Sequence, residues 1–172
     1  MKKLAFALAL VILTAAVFAQ SDKIAYIDTD RIMIESPETL EAQTILLNEK
    51  RKWDKEIDDI DAEIDLLYTD YENRKMMLTT AGKQEAEAKI KALQQTRQAK
   101  VQEIYGETGK FVQKQAELLE PILNKLKTVI EKVAVENNYS MIFDAAAGGL
   151  LYAKPSMDIT GIILDEMKKT VQ

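Results

Sequence analysis

Seven carboxylates fall within twelve residues of this chain: Asp54, Glu56, Asp58, Asp59, Asp61, Glu63 and Asp65. Acids at that density could hold a hard cation, or divide into a proton donor and a base for hydrolysis of a glycosidic bond. Calcium-type coordination needs a loop with a glycine turn that folds the carboxylates inward, and this run has none. On a helix the same groups radiate into solvent, so the run reads as a solvated face. Like-charged pairs such as Asp54/Asp58 and Asp61/Asp65 weaken an isolated helix slightly. Paired catalytic acids also need a cleft, which an exposed helix does not offer. Composition narrows the chemistry further. The 172 residues include no His and no Cys, which removes most nucleophilic triads, thiol chemistry, disulfides and the commonest zinc ligands. No phosphate-cradling glycine loop is present, and Gly148-Gly149 reads as a turn. The expectation is a non-enzyme with no catalytic residues, no metal site and no cofactor.

The cations point elsewhere. From Glu38 to Glu72 there are 12 acidic and 4 basic residues, a net charge of −8, whereas Asn73 to Lys114 holds 4 acidic and 9 basic ones, a net charge of +5. Arg74, Lys75, Lys83, Lys89, Lys91, Arg97 and Lys100 form the basic strip. It has two readings. Antiparallel helices of opposite charge attract along their flanks, which sets pairing and register. Equally, the strip can face a bound partner. Glu85–Lys89 and Glu87–Lys91 are expected same-helix pairs, each worth ~0.2–0.5 kcal/mol. Met76, Met77 and Leu78 cluster beside the strip, with Tyr68 and Tyr71 just before. They are either packing for a hairpin tip or an adaptable apolar surface, since thioether chains repack easily.

These groups need elements to position them. Lys2 and Lys3, the apolar run Leu4 to Val17, and small residues at Val17 and Ala19 form an export signal with cleavage expected before Gln20. The competing reading is an uncleaved anchor, although the run is shorter than the ~20 residues a spanning helix needs. Loss of Lys2 and Lys3 takes the net charge from −5 to −7, which argues against nucleic-acid binding. Lys23 to Asp28 reads as a strand. Ser36-Pro37-Glu38 is a helix start, with Ser36 as cap and Pro37 at the first helical position. Leu46, Trp53, Ile57, Ile60, Ile64, Leu67 and Tyr71 then follow a heptad seam. With no Gly or Pro from Glu38 to Leu78, the helix would be about 60 Å long and must project from any body the chain can make.

Thr79-Thr80-Ala81-Gly82 is the expected hairpin tip. Ile90, Leu93, Val101, Ile104, Phe111, Leu118 and Ile122 carry the returning seam, with Arg97 and Thr108 at places where apolar residues are expected. Gly106 and Gly109 fall inside this helix as a soft point, and Glu120-Pro121 should kink or restart it. Tyr139 to Asp144 reads as a second strand, Leu150 to Ala153 as a third, and Asp158 or Thr160 as the cap of a final helix. The fold class is therefore α+β: a long antiparallel helical hairpin, a coiled-coil arm, inserted in a small β-rich body with a C-terminal helix. The expected divisions are a signal at 1–19, a body from 20–36 and 117–172, and an arm at 37–116. So thin a body should need self-association, with Ile24, Tyr26, Ile27, Ile142, Phe143, Leu150, Leu151 and Tyr152 as its candidate residues.

The order of the Ile24-Ala25-Tyr26-Ile27-Asp28 strand, the Ser36-Pro37-Glu38 start, the charged hairpin, Pro121-Ile122, the Tyr139 to Asp144 strand and the closing Asp158-Ile159-Thr160 resembles the Skp/OmpH family of periplasmic chaperones over essentially the whole mature chain. The resemblance implies a periplasmic homotrimer with three arms around a cavity, which holds unfolded outer-membrane or other exported proteins without ATP. It implies client contacts on the arm, for which Arg74, Lys75, Met76, Met77, Lys83, Lys89, Lys91, Arg97 and Lys100 are the candidates, and the membrane surface is a further candidate partner. One departure stands out: the best-known members are basic, and this mature chain is acidic. The alternative is a structural coiled-coil spacer or adaptor of the envelope with one fixed partner.

Overall fold

The computed structural model describes residues 22–169, so the expected signal lies outside the described residues. In chain order the elements are β1 (Lys23–Ile27), α1 (Thr29–Glu35), α2 (Pro37–Arg74), α3 (Thr80–Tyr105), α4 (Lys110–Asn137), β2 (Tyr139–Asp144), a 3-10 turn (Pro155–Met157) and α5 (Thr160–Lys169). The chain divides into two compact units, one made of residues up to Met33 and from Leu126 onward, the other of Ile34–Lys125. The expected class holds: a long helical hairpin, a small sheet and a C-terminal helix. Among the described residues no helix is long and apolar enough to cross a membrane.

In the first unit, β1 and β2 pair in parallel, with Ala25 opposite Ile142, Tyr26 opposite Phe143 and Ile27 opposite Asp144. The register slips between Lys23 and Ile24, leaving Ser140 as the extra residue. Alternation sends Ala25 and Ile27 inward, where they meet a core that includes Ile32, Leu126, Val129, Val133, Ile159, Ile163, Leu164 and Met167. The stripe Leu126, Val129, Val133 is the dense apolar face that the sequence shows on α4, and α5 supplies Ile163, Leu164 and Met167 at helical spacing.

Polar groups lock this core. The Asp28 N–H donates to Thr160 Oγ1 at 3.0 Å, and that hydroxyl donates to Asp158 Oδ1 at 2.6 Å. Asp158 Oδ1 also accepts from the Thr160 N–H at 2.8 Å, so of the two candidate caps Asp158 is the acceptor. Asp144 ties the strand ends together by accepting from the Thr29 N–H and hydroxyl at 3.2 and 2.7 Å.

The expected third strand is absent. Leu150–Ala153 has no strand conformation, and Leu151 and Tyr152 are 98% and 81% exposed. The edge of β1 away from β2 is taken at Tyr26 by the Asp158–Ile159 segment, with the Ile159 N–H donating to the Tyr26 carbonyl at 3.0 Å. Leu150–Ala153 pairs with no strand among the described residues of its own chain.

In the second unit α2 begins as expected: Ser36 Oγ accepts from the Thr39 N–H and donates to Glu38 at 2.7 Å, and Pro37 occupies the first turn. Its 38 residues span about 57 Å. Every residue of the expected α2 seam is buried or half-buried, whereas Leu40, Ile45, Leu47, Leu66 and Tyr68, off the seam, are exposed. On α3, Ile90 and Ile104 are buried and Leu93 and Val101 half-buried.

Two expectations fail locally, and the restart expected at Pro121 does not occur. The hairpin turn is Lys75–Leu78, closed by the Met77 N–H on the Arg74 carbonyl at 2.8 Å, and Thr79 is the N-cap of α3, accepting from the Gly82 N–H at 3.2 Å. A Thr side chain that caps a free N–H is worth more at the helix start than in the turn. The returning helix is also two helices. Gly106 and Gly109 end α3 instead of softening it: a Cβ on Gly106 would lie 2.4 Å from the Gln102 carbonyl oxygen, and one on Gly109 2.5 Å from that of Ile104. Pro121, in contrast, neither stops nor restarts α4, which runs unbroken from Lys110 to Asn137. Pro121 and Glu117 are both exposed, so water can serve the carbonyl that lacks its helical donor.

Two consequences follow for stability. Ile163→Ala, at a fully buried site, is expected to cost about 2–5 kcal/mol. Leu66→Ala, on an exposed face, should stay within about 0.5 kcal/mol. Denaturant unfolding at one fixed protein concentration checks both, and equal effects would contradict this core. Gly109→Ala should cost about 1–3 kcal/mol through overpacking against backbone. An unchanged midpoint for that variant would show that the break tolerates a side chain.

Candidate functional site at the hairpin tip

The tip is built by two helix ends and a four-residue turn. Met76 and Met77 stand at its apex, 93% and 78% exposed. Behind them the last turns of α2 and the first of α3 enclose a groove of about 230 Å³. Its apolar lining is Leu67, Tyr71, Leu78 and Ala86, and its charged rim is Asp70, Arg74, Glu85 and Lys89. Tyr71 is buried at the floor; its hydroxyl donates to Glu87 Oε1 at 2.5 Å, and that carboxylate pushes the phenol pKa up.

The strip of candidate cations separates into three groups. Arg74, Lys75 and Lys89 are at the tip and each pairs within its own helix or turn: Arg74 with Asp70, Lys75 with Glu72 at 3.1 Å, and Lys89 with Glu85 at 2.8 Å. Lys75 also sits over the Tyr71 ring, 5.3 Å from its centre. Arg97 and Lys100 lie further along α3 and reach across to α2, Arg97 to Asp61 and Lys100 to Glu56 at 3.3 Å. Hydrogen bonds to those carboxylates raise both cations' pKa values. Lys83 and Lys91 have no ion pair among the described residues. The Glu85–Lys89 pair forms as expected, but Glu87 turns to Tyr71 and not to Lys91.

The acidic run is largely consumed by these contacts. Asp54 accepts from Lys50 and from the Tyr105 hydroxyl, both at 2.5 Å, which lowers its pKa. Asp59 pairs with Lys55 at 2.8 Å, Asp61 with Arg97 and Glu56 with Lys100. The slot of Arg97, polar where the seam expects apolar, is thus a cross-helix ion pair with both partners partly exposed, so solvent screens it and its contribution is small.

Tyr71, Tyr105, Asp61 and Glu56 are the residues that sequence reasoning did not single out as cross-helix partners. A signal for them exists. The pairs Asp61–Arg97, Tyr71–Glu87, Glu56–Lys100 and Asp54–Tyr105 are each centred between Leu78 and Thr80. Folding the sequence about Thr79 brings all four together, and a tip placed at Thr79–Gly82 shifts the register just enough to hide them.

Near the other end of the hairpin a second hollow, about 240 Å³, lies between the first turns of α2 and the middle of α4, lined by Ala42, Ile45, Leu118, Pro121 and Ile122 with Glu38, Glu41 and Lys125 at its rim. Burial opposes ionisation of Glu38, but hydrogen bonds from Lys125 and Ser36 hold its carboxyl below the usual range. The body candidates are distributed differently. Ile27 is buried in its own chain, Tyr26, Ile142 and Leu150 are half-buried, and Ile24, Phe143, Leu151 and Tyr152 are exposed. Ile24 and Met141 are cross-strand neighbours, as are Tyr26 and Phe143, so the outward face of the sheet is apolar too.

Comparison with known proteins places this architecture. A family model described as outer membrane protein (OmpH-like) matches residues 23–167. The chaperone protein Skp of Yersinia enterocolitica is 25% identical over 156 residues, spanning 91% of this chain and 92% of the relative. A solved chain described as an OmpH-like outer membrane chaperone from Caulobacter crescentus CB15 superposes with a TM-score of 0.78 at 17% identity, covering 88% of this chain and 86% of that one, a likeness of fold. From its first strand to its last helix, the chain belongs to the OmpH-like outer membrane protein family.

Proposed function

We propose that this protein is an exported, periplasmic holding chaperone. It binds unfolded outer-membrane or other exported proteins in a cavity between the helical arms of a homotrimer, prevents their aggregation without ATP, and catalyses no reaction. The observation that carries the reading is the hairpin itself. Its seam is satisfied by packing within the arm, and what remains outside is charge of both signs with apolar groups scattered through it, among them Leu66, Tyr68, Met76 and Met77. Such a surface offers a client many weak, replaceable contacts, so capture is strong in sum and release needs no energy source. The named chaperone among its relatives supports the same reading.

Trimerisation is supported by the body. A two-stranded sheet is marginal by itself, and this one is apolar on both faces while Leu151 and Tyr152 stand in solvent. Burying that outward face against further copies would complete a core that one chain leaves thin. The client contacts are assigned to the tip, with Met76 and Met77 as the apolar element and Arg74, Lys75, Lys83 and Lys89 as the charged one. Lys91, Arg97 and Lys100 extend the contact along α3.

The mature protein, mixed with an outer-membrane barrel protein diluted from urea, should suppress light scattering at stoichiometric trimer in the absence of ATP. Undiminished scattering would overturn the reading, and capture of a single folded partner with no affinity for unfolded chains would favour an envelope adaptor instead. Sedimentation of the mature protein should give a trimer, and the double variant Leu151→Asp, Tyr152→Asp should shift the mass towards the monomer. A monomeric parent protein would remove the shared core.

A further inference from the structure

The chain places two adjacent thioethers at the apex of the hairpin turn, where short polar residues are usual. Met76 and Met77 are the two most exposed methionines of the described residues: Met141, on the outward sheet face, is 57% exposed, Met33 and Met157 are half-buried, and Met167 is fully buried in the body core. We propose that Met76 and Met77 are an oxidation site, and that their conversion to sulfoxides by a hydroperoxide weakens the hold of the tip on a client. The chemistry of the site stands on exposure alone, while its consequence rests on the chaperone reading above.

The reaction needs no catalytic group. A thioether lone pair attacks one peroxide oxygen, the O–O bond breaks, and a sulfur–oxygen bond forms. The sulfur is oxidised by two electrons and the peroxide is reduced to water, taking up the proton it releases. The bond-breaking barrier is common to all thioethers, so approach to sulfur sets the difference between them, and the apex leaves that approach open.

The turn is suited to survive the change. It is closed by backbone, the Met77 N–H on the Arg74 carbonyl, and α3 is capped by Thr79, so neither thioether holds the fold. What changes is the surface. Two flexible apolar chains become polar acceptors, beside a groove whose floor is Leu67, Tyr71 and Leu78. A client's apolar side chains then meet a polar apex in place of a greasy one. Arg74 and Lys75, next in the chain, supply donors that a sulfoxide oxygen can engage in place of a client. Oxidation of Met167, in contrast, would disrupt packing and the body with it.

The test uses the full mature protein titrated with hydrogen peroxide and mapped by peptide mass. Met76 and Met77 should each gain one oxygen at doses about tenfold below those that modify Met167; equal rates at the three residues would overturn the site. The helical circular dichroism should not change at the lower dose, and loss of helix there would overturn the claim that the tip is altered without unfolding. Aggregation suppression by the oxidised protein should fall at least twofold and return after treatment with methionine sulfoxide reductases. In the variant M76L/M77L, whose leucines cannot take up oxygen, holding after peroxide divided by holding before should stay near one whatever its starting level, and a fall as large as the parent's would overturn the switch. Selective oxidation with undiminished holding would overturn the switch. A protein that holds no client even before treatment refutes the chaperone reading and the switch with it, whereas the order of oxidation is still read from the masses.

Discussion

Parallel strands cannot be joined by a tight turn, so β1 and β2 can lie side by side only if the chain between them makes a long crossover. Here that crossover is residues 28–138, and it contains the hairpin and both long helices that lead back from it. Everything else depends on this pairing. It brings segments from before and after the long helices into one core with faces of α4 and α5, and the middle of the chain forms a second unit. The Asp28–Thr160–Asp158 chain of hydrogen bonds and the Asp144 contacts to Thr29 secure the point where the crossover departs.

The arm is held by many small terms. Its seam buries a single line of side chains, and the cross-helix contacts of Arg97, Lys100, Tyr71 and Tyr105 are partly exposed, so each contributes modestly. They do more for register than for stability, because displacement by one turn breaks all of them together. This also accounts for the uneven charge. An acidic outgoing helix and a basic returning one attract along the flank, which makes the acidity of the chain a property of arm pairing as much as of its surface.

Much of this architecture is legible in the residues alone. The seam from Leu46 to Tyr71, the Ser36 cap, the first two strands and the closing helix all follow from periodicity and from residues with one strong local preference. The misreadings share a cause, which is that competing local preferences are settled by neighbours. Thr79 can belong to a turn or cap a helix, and the cap wins because Gly82 presents a free N–H. Gly106 and Gly109 are tolerable in a helix, yet the backbone they approach leaves no room for a Cβ. Pro121 breaks helices unless the carbonyl it leaves without a donor can be served by solvent, and Glu117 and Pro121 both lie on the exposed side of α4. Leu150–Ala153 has the composition of a strand but no partner among the described residues of its own chain. The tip is legible as a cluster of cations and methionines, though not as a groove, because a groove depends on register.

The long crossover also has a consequence in time. Contacts within the hairpin link residues close to a common centre, so the arm can form as soon as its second helix has emerged, whereas the first strand waits for a mate more than a hundred residues later. A polypeptide that emerges N-terminus first therefore makes its limb before its base, and exposes an unmatched strand edge throughout that interval. The charge on Lys23 and Asp28, at either end of that strand, is well placed to discourage the edge from pairing with the wrong neighbour in the meantime.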